Sequence, residues 1–376
     1  MKDNRVRMEA RRIAIFIKQL SMGGLERIMV RLANEFAGRG HRVDLVLAKD
    51  EGPLSCEVAS EVRIVALESY RMWWALPNLL QYLRRSQPDF FMAAGWQVNS
   101  IATWARLLSW TPFRLVLSVR SHITQQSRNS DVWYAPFNPF AVKIFYPLAD
   151  AIVAVSRGIL EDLSTVSSAA AENGQVIYNP VVDQNLLAKS QEDVSHPWLS
   201  QKQDVPVLLG IGRFGPQKNF ALLLRAFAEV SRDREVRLIM VGDGEERDKL
   251  EELTQKLDIQ NRVDFVGFEK NPYKYMARAS LLVMTSRFEG LPSVLVEALA
   301  CGCPIVSTDC PSGPREILEE GRWGRLVPVD DQEALVEAIN ESLNEEHDPE
   351  RLRQRATDFS VDRAVESYLN VLLPAT

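Results

Sequence analysis

The chain has 376 residues, 46% of them hydrophobic and 25% charged, and a formal net charge of −6. That length exceeds one ordinary domain and that composition is globular, so two packed domains are expected and a disordered or fibrous chain is excluded. The net negative charge does not suit a nucleic-acid binder, and no run of about 18 apolar residues offers a membrane-spanning helix.

In chain order, "MKDNRVRMEARRIAIF" carries charges and only a short apolar run, with no small-residue cleavage site, so it reads as the lead into a first strand rather than a signal peptide. The glycine turn "SMGG" (21–24) then opens "LERIMVRLANEFAGRG". There Leu25, Ile28, Met29, Leu32 and Phe36 keep helical spacing, and Gly38 and Gly40 end the helix. "HRVDLVLA", "VRIVAL", "FFMAA", "RLVLSV" and "AIVAVS" continue a series of strands, with helical stretches between several of them. A second series runs "VPVLLGIG", "VRLIMVG", "RVDFVG", "LLVMT" and "CPIVST". Apolar β-branched strands separated by helices predict parallel sheets covered on both faces. Two series predict an α/β chain of two tandem doubly wound, Rossmann-like domains facing a cleft.

The seam falls in a polar, proline-bearing stretch. The expected organisation is a first domain over 1–180, a linker over 181–204, a second domain over 205–360, and a C-terminal helix over 361–376 that packs back on the first domain. Charge divides unevenly: residues 1–190 carry a net +5 and the remainder −11, as for domains with different partners. Cys56, Cys301, Cys303 and Cys310 lack a nearby histidine or fourth cysteine to complete a zinc set, so they are expected to be buried free thiols in a reducing cytoplasm, with no metal.

Doubly wound sheets bind ligands beyond the carboxyl ends of their strands. Four loops there are polar or glycine-rich: "SMGG", "SVRSH" (118–122), "GRFGPQKN" (212–219) and "SRFEGLPS" (286–293). In the last, Pro292 fits the first turn of a helix, where its missing N–H costs nothing. The amides of Ser293, Val294 and Leu295 then face outward at an end that favours a phosphate. Glu289 and Glu297, eight residues apart, flank that end. Two acids beside a bound anion are unfavourable unless they accept hydrogen bonds, and sugar hydroxyls are the obvious donors; an ordinary capping or ion-paired acid is the alternative for Glu297. Arg213 and Lys218 follow a buried strand and could neutralise a diphosphate. Gly210, Gly212 and Gly215 form a formal G-x-G-x-x-G, but Asp243 comes 28 residues after Gly215, too late for a dinucleotide site. No D-x-D, P-loop or nucleophile-elbow motif occurs.

The stretches "GRFGPQKNFALLLRAFAEV", "LIMVGDGEERDKLEEL", "RVDFVGFEKNPYKYMARASLLVMTSRFEGLPSVLVEALACGCPIVSTDCPSGPREIL" and "GRLVPVDD" together resemble the donor domain of retaining glycosyltransferases of family 4, with the GT-B fold and an E-x7-E signature at Glu289 and Glu297. "GG" at 23–24 and "VIYNPV" at 176–181 fit the N-terminal half more loosely. The resemblance implies that Arg213 and Lys218 hold the diphosphate, Glu289 the donor sugar and Glu297 the ribose. It implies that the 293–295 amides face the phosphates and that Val266 and Phe268 lie against the base, with Gly212, Gly290, Leu291 and Pro292 in the substrate-binding set. Gly23 and Gly24 would let backbone approach the reaction centre, and Asn179 would join the substrate-binding set. "VRSHI" offers both Arg120 and His122 for one active-site role.

The expected activity is sugar transfer, with retention and without metal or cofactor. The donor would be a nucleotide sugar, with a lean to a UDP-hexose or UDP-N-acetylhexosamine. The acceptor would be a glycan or lipid-linked saccharide in polysaccharide, lipopolysaccharide or glycolipid synthesis. An epimerase or phosphorylase on the same fold is the alternative. In "YRMWWALPNLLQYLRR" (70–85), Trp73 and Trp74 beside arginines suit a water–lipid boundary, although Met72, Leu76, Leu79, Leu80 and Leu83 also fit a helix packed on its own sheet. The expectation is a cytoplasmic protein in peripheral contact with the anionic inner membrane, and no nucleic acid.

Overall fold

The computed structural model describes residues 10–21, 23–49, 52–69, 71–124, 138–199 and 205–373. The expectations touching residues 1–9, Met22, Tyr70, 200–204 and 374–376 concern positions outside that set. The chain divides into two compact units: residues 1–180 with 362–376, and residues 181–361.

The first unit holds a seven-stranded parallel sheet in the order β3-β2-β1-β4-β5-β6-β7. Its strands are β1 (Arg12–Ile17), β2 (Arg42–Leu47), β3 (Val62–Ala66), β4 (Phe90–Ala94), β5 (Arg114–Val119), β6 (Ala151–Ala154) and β7 (Gly174–Val176). The second unit holds six parallel strands, β10-β9-β8-β11-β12-β13. These are β8 (Val207–Ile211), β9 (Arg237–Val241), β10 (Val263–Gly267), β11 (Leu281–Met284), β12 (Ile305–Thr308) and β13 (Arg325–Val327). The central strands are buried on both faces, as their unbroken apolar runs require. In each sheet the strand order reverses once, between β1 and β4 and between β8 and β11. Such a reversal opens a crevice beyond the strand ends.

Helices flank the two sheets, among them α1 (Gly24–Gly38), α2 (Ala75–Ser86), α3 (Trp96–Leu108), α4 (Phe220–Asp233), α5 (Ser293–Cys301) and α6 (Val361–Leu372). α1 buries Ile28, Met29, Leu32 and Phe36 of the stripe read from the sequence, and Leu25 at its start is half-buried. α4 buries Phe220, Leu223, Leu224 and Phe227 in the core of the second unit. From Asp362 on, α6 belongs to the first unit. Tyr368 is fully buried, its hydroxyl lies 3.5 Å from Ser118 Oγ, and Arg114 Nε donates to the Val371 carbonyl (3.0 Å).

Several local expectations change. Within 181–204, residues 184–190 form a helix capped by Asp183, whose side chain accepts from the Leu186 amide (2.7 Å), and Leu186 is buried. Helix α2 begins at Ala75, and Met72–Trp74 forms a 3-10 turn ahead of it. Trp73 and Trp74 are 55% and 70% exposed, so this pair is not core, whereas Met72, Leu79 and Leu83 are buried. Cys301, Cys303 and Cys310 are buried free thiols, but Cys56 is exposed, because it sits on a short 3-10 turn away from the sheet.

Candidate active site

The loops after β8 and β11 meet at the reversal point of the second sheet, and hydrogen bonds stitch them together. The Gln217 amide donates to the Phe288 carbonyl (2.7 Å), the Arg287 N–H to the Gln217 carbonyl (2.9 Å), and the Thr285 hydroxyl to the Lys218 carbonyl (2.9 Å). Phe214 anchors the first loop. It is fully buried, edge-on to Phe220 (5.2 Å between ring centres) and to Phe265 (5.9 Å). Gly212 has φ +151°, and an added Cβ would press within 3.3 Å of the Lys218 side chain. Gly210 instead faces Leu223 of α4, so the glycines of the formal dinucleotide pattern serve packing and the turn.

This stitching places Lys218 Nζ 2.6 Å from Glu289 Oε1, with side chains only 21% and 10% exposed. A shielded pair of this kind is held more firmly than a surface one, and an ammonium with three donors keeps two for another partner. Arg213 differs: its guanidinium is 78% exposed and pairs with Glu245 (2.9 Å). Cys310 lies near the pair; burial, reinforced by the Glu289 charge, pushes its thiol up to about 12.

α5 starts at Ser293, one residue later than read, with Pro292 as its cap. The Leu295 amide donates to the Pro292 carbonyl (3.1 Å), so the first-turn amides facing outward are those of Ser293 and Val294, not all three. Leu295 is buried, and Glu297 is partly buried on the second turn. Gly290, Leu291 and Pro292 are held from behind by Gly313 (φ +96°), where a Cβ would stand 2.4 Å from Pro292 Cδ and 3.1 Å from the Gly290 carbonyl. Sequence reading missed Gly313, although "PSGP" carries a turn signal. At the end of β10 the pairing to β9 slips at Val266, a bulge, and Gly267 takes φ +83°. A bulge re-aims the residues after it, and Phe268 stands 61% exposed.

In the first unit, Gly23 caps α1 and Gly24 begins it. A Cβ on Gly23 would collide with the Glu26 carboxylate (2.2 Å), whereas Gly24 has open space. Beyond β5, Arg120 donates to Asn179 Oδ1 (2.6 Å) and to the Tyr368 hydroxyl (3.4 Å), so two of the predicted residues meet directly. Burial lowers the Arg120 pKa from its ordinary value, against the pull of Tyr368. His122 is separate: its Nδ1 lies 3.1 Å from Asp162 Oδ1, a close electrostatic contact off the line of a hydrogen bond. Asp162 also accepts from the Ile123 amide (2.7 Å), the Thr124 amide (3.2 Å) and the Thr124 hydroxyl. Burial alone would raise its carboxyl, but the contacts from His122 and Thr124 outweigh it and leave the pKa below its ordinary value. Asp162 was also missed, for it lies on a helix forty residues downstream with no spacing motif. Among the described residues, no group of three or more His, Cys, Asp or Glu side chains gathers where it could hold a metal ion.

Residues 193–359 match the family described as glycosyl transferases group 1, and residues 22–185 match glycosyltransferase family 4. The chain is 32% identical over 348 residues to N-acetylgalactosamine-N,N'-diacetylbacillosaminyl-diphospho-undecaprenol 4-alpha-N-acetylgalactosaminyltransferase of Campylobacter jejuni, covering 89% of this chain and 91% of that one. It is 27% identical to the lipopolysaccharide core biosynthesis glycosyltransferase LpsE of Rhizobium meliloti, covering 93% and 96% of the two chains. Among solved structures, HepE of Anabaena in complex with UDP superposes with a TM-score of 0.80 at 20% identity, covering 96% of this chain and 99% of that one. The apo lipopolysaccharide outer core galactosyltransferase WaaB superposes with a TM-score of 0.76 at 22% identity, covering 96% and 98%. With two parallel-sheet units and these likenesses, the chain has the GT-B fold and belongs to the group 1 and family 4 glycosyltransferases.

Proposed function

We propose that this glycosyltransferase moves a hexose or N-acetylhexosamine from a UDP-sugar to a lipid-linked saccharide, with retention and without a metal. The Lys218–Glu289 pair carries the reading, because it joins at 2.6 Å the cation assigned to the diphosphate and the carboxylate assigned to the sugar. The relatives support the substrates: one is named for transfer to a diphospho-undecaprenol saccharide, and a structural neighbour was solved with UDP.

The chemistry follows from what the side chains can do. Breaking the bond between the anomeric carbon and the phosphate oxygen builds negative charge on the β-phosphate. Lys218, Arg213 and the Ser293 and Val294 amides stabilise that charge, where preorganised donors act most strongly. Glu289 accepts from donor-sugar hydroxyls and Glu297 from the ribose. The acceptor hydroxyl attacks the same face, and its proton passes to the departing phosphate. Val266 and Phe268 lie along the base, and Gly212, Gly290, Leu291 and Pro292 let backbone approach the phosphates. In the first unit, His122 (oriented by Asp162) and the Arg120–Asn179 pair act on substrate, and Gly23 and Gly24 keep space for it. Peripheral contact with an anionic membrane on the cytoplasmic side, through Trp73 and Trp74, brings the enzyme to its acceptor.

The test is incubation of the protein with UDP-sugars and a diphospho-polyprenol saccharide in EDTA, with the product anomer read by NMR. Transfer with the donor's configuration kept is expected. An inverted product, or activity lost in EDTA and restored by Mn²⁺, would overturn the reading.

A further inference from the structure

A basic cavity lies in the first unit at the amino-terminal edge of its sheet. Arg12, Arg42, Arg63 and Arg85 line it together with Asp44 and Ser86. The sheet register itself crowds these charges, for Arg12 at the start of β1 pairs with Arg42 at the start of β2. Like charges on facing positions repel.

The nearby acids do not cancel the excess. Asp44 faces Arg63 across the β2–β3 register and accepts from its Nε (2.8 Å) and from the Tyr82 hydroxyl (2.6 Å). Asp89 Oδ2 accepts from the Arg12 backbone amide (2.8 Å). Among the described residues, no carboxylate pairs with the guanidinium of Arg12, Arg42 or Arg85. Arg12 instead donates to the Ser86 carbonyl (3.3 Å), and Arg63, its guanidinium already engaged by Asp44, also donates to the Ser86 hydroxyl (3.1 Å). Next to the cavity, Arg84 donates to the Leu108 carbonyl (3.4 Å), and Leu107, Leu108 and Trp110 stand exposed beyond it, Trp110 at 92%.

Catalysis in doubly wound sheets uses the carboxyl edge, so this cavity is not part of the transfer site. We infer that it is an anion site that takes a phosphate group through bidentate guanidinium contacts. The phosphate can belong to a lipid headgroup or to a small soluble phosphate. The crowded arginines are the signature of a site whose neutralising partner arrives from outside.

The test compares the full-length protein with Arg42→Gln/Arg85→Gln, both exposed side chains outside the transfer machinery. One arm titrates inorganic pyrophosphate by calorimetry in saturating UDP. The other floats phosphatidylcholine vesicles with and without phosphatidylglycerol. Two cations near an anionic surface, at about 1 kcal/mol each, predict roughly 30-fold weaker binding in the variant. A loss in the pyrophosphate arm alone assigns the site to soluble phosphates, and a loss in the phosphatidylglycerol arm assigns it to headgroups. If the double variant melts early, Arg42→Gln alone carries the test, with about a fivefold loss. Equal binding by wild type and variant in both arms, or no binding in either, overturns the inference. The outcome does not depend on whether sugar transfer proceeds as proposed.

Discussion

The two units are built alike and finished differently. Both are parallel sheets wrapped in helices, yet of the nine large apolar side chains left exposed among the described residues, seven belong to the first unit (Trp73, Trp74, Leu107, Leu108, Trp110, Phe140 and Ile144) and two to the second (Leu187 and Phe268). In the second unit the polar side chains at the strand ends are already paired, as Lys218 is with Glu289 and Arg213 with Glu245. In the first, among the described residues, Arg12, Arg42 and Arg85 at the opposite sheet edge have no carboxylate partner, while Arg63 is held by Asp44. One architecture thus carries paired charges at the strand ends of one unit and exposed apolar and basic side chains on the other. The fold does not choose between them; loop and surface residues do.

The sharpest way to break this contrast is at the paired site. Lys218→Ala should cut turnover by at least about 100-fold, the scale of losing one charge-stabilising donor, while circular dichroism stays native. Turnover near wild type would remove the second unit's claim to the donor phosphates. Separating the glutamates sharpens it further. Glu297→Ala is expected to weaken UDP binding by about tenfold or more, the scale of a hydrogen bond to a charged group, whereas Glu289→Gln should leave UDP affinity and lower the rate. Calorimetry with UDP beside steady-state kinetics separates the two, and identical profiles would discard their distinct roles.

A backbone test comes next. Gly313→Ala places a Cβ against Pro292 at a φ of +96°, which should cost about 1–3 kcal/mol. A chemical-denaturation midpoint unchanged from wild type would show that the 290–292 loop does not need that support. In the first unit, Asp162 contributes a stabilisation that depends on pH. Its folded pKa lies below the unfolded one, so its contribution is complete above about pH 4 and fades as pH falls through the folded value. The destabilisation caused by Asp162→Asn should therefore be largest at neutral pH and shrink in acid; a cost independent of pH contradicts this. The smallest effect is chemical labelling. Iodoacetamide should modify Cys56 and spare Cys301 and Cys310, whose thiols burial pushes up to about 12.

Most of the architecture was legible because buried parallel strands are written as continuous apolar runs. The exceptions have physical causes. β7 and β13 are three-residue edge strands, too short to carry a pattern. The helix at 184–190 hid in a polar stretch, although Asp183 ahead of "QNLL" was a usable capping signal. At the site, Glu289, Arg213 and Lys218 stood out because loops after strands concentrate function. Partners that act by support did not stand out. Asp162 reaches His122, and Gly313 reaches Pro292, across distances in sequence that no local motif spans.

The return of α6 to the first unit also bears on how the protein is made. Tyr368 closes against Ser118 and Arg120, but it is translated only after the whole of residues 181–361, which form the other unit. At about 5–20 residues per second, that interval lasts roughly 10–40 s. During synthesis the first unit therefore waits, unfinished and with its apolar surface near β5 uncovered, while the second can complete itself. The half that begins first is the half whose last segment is made last.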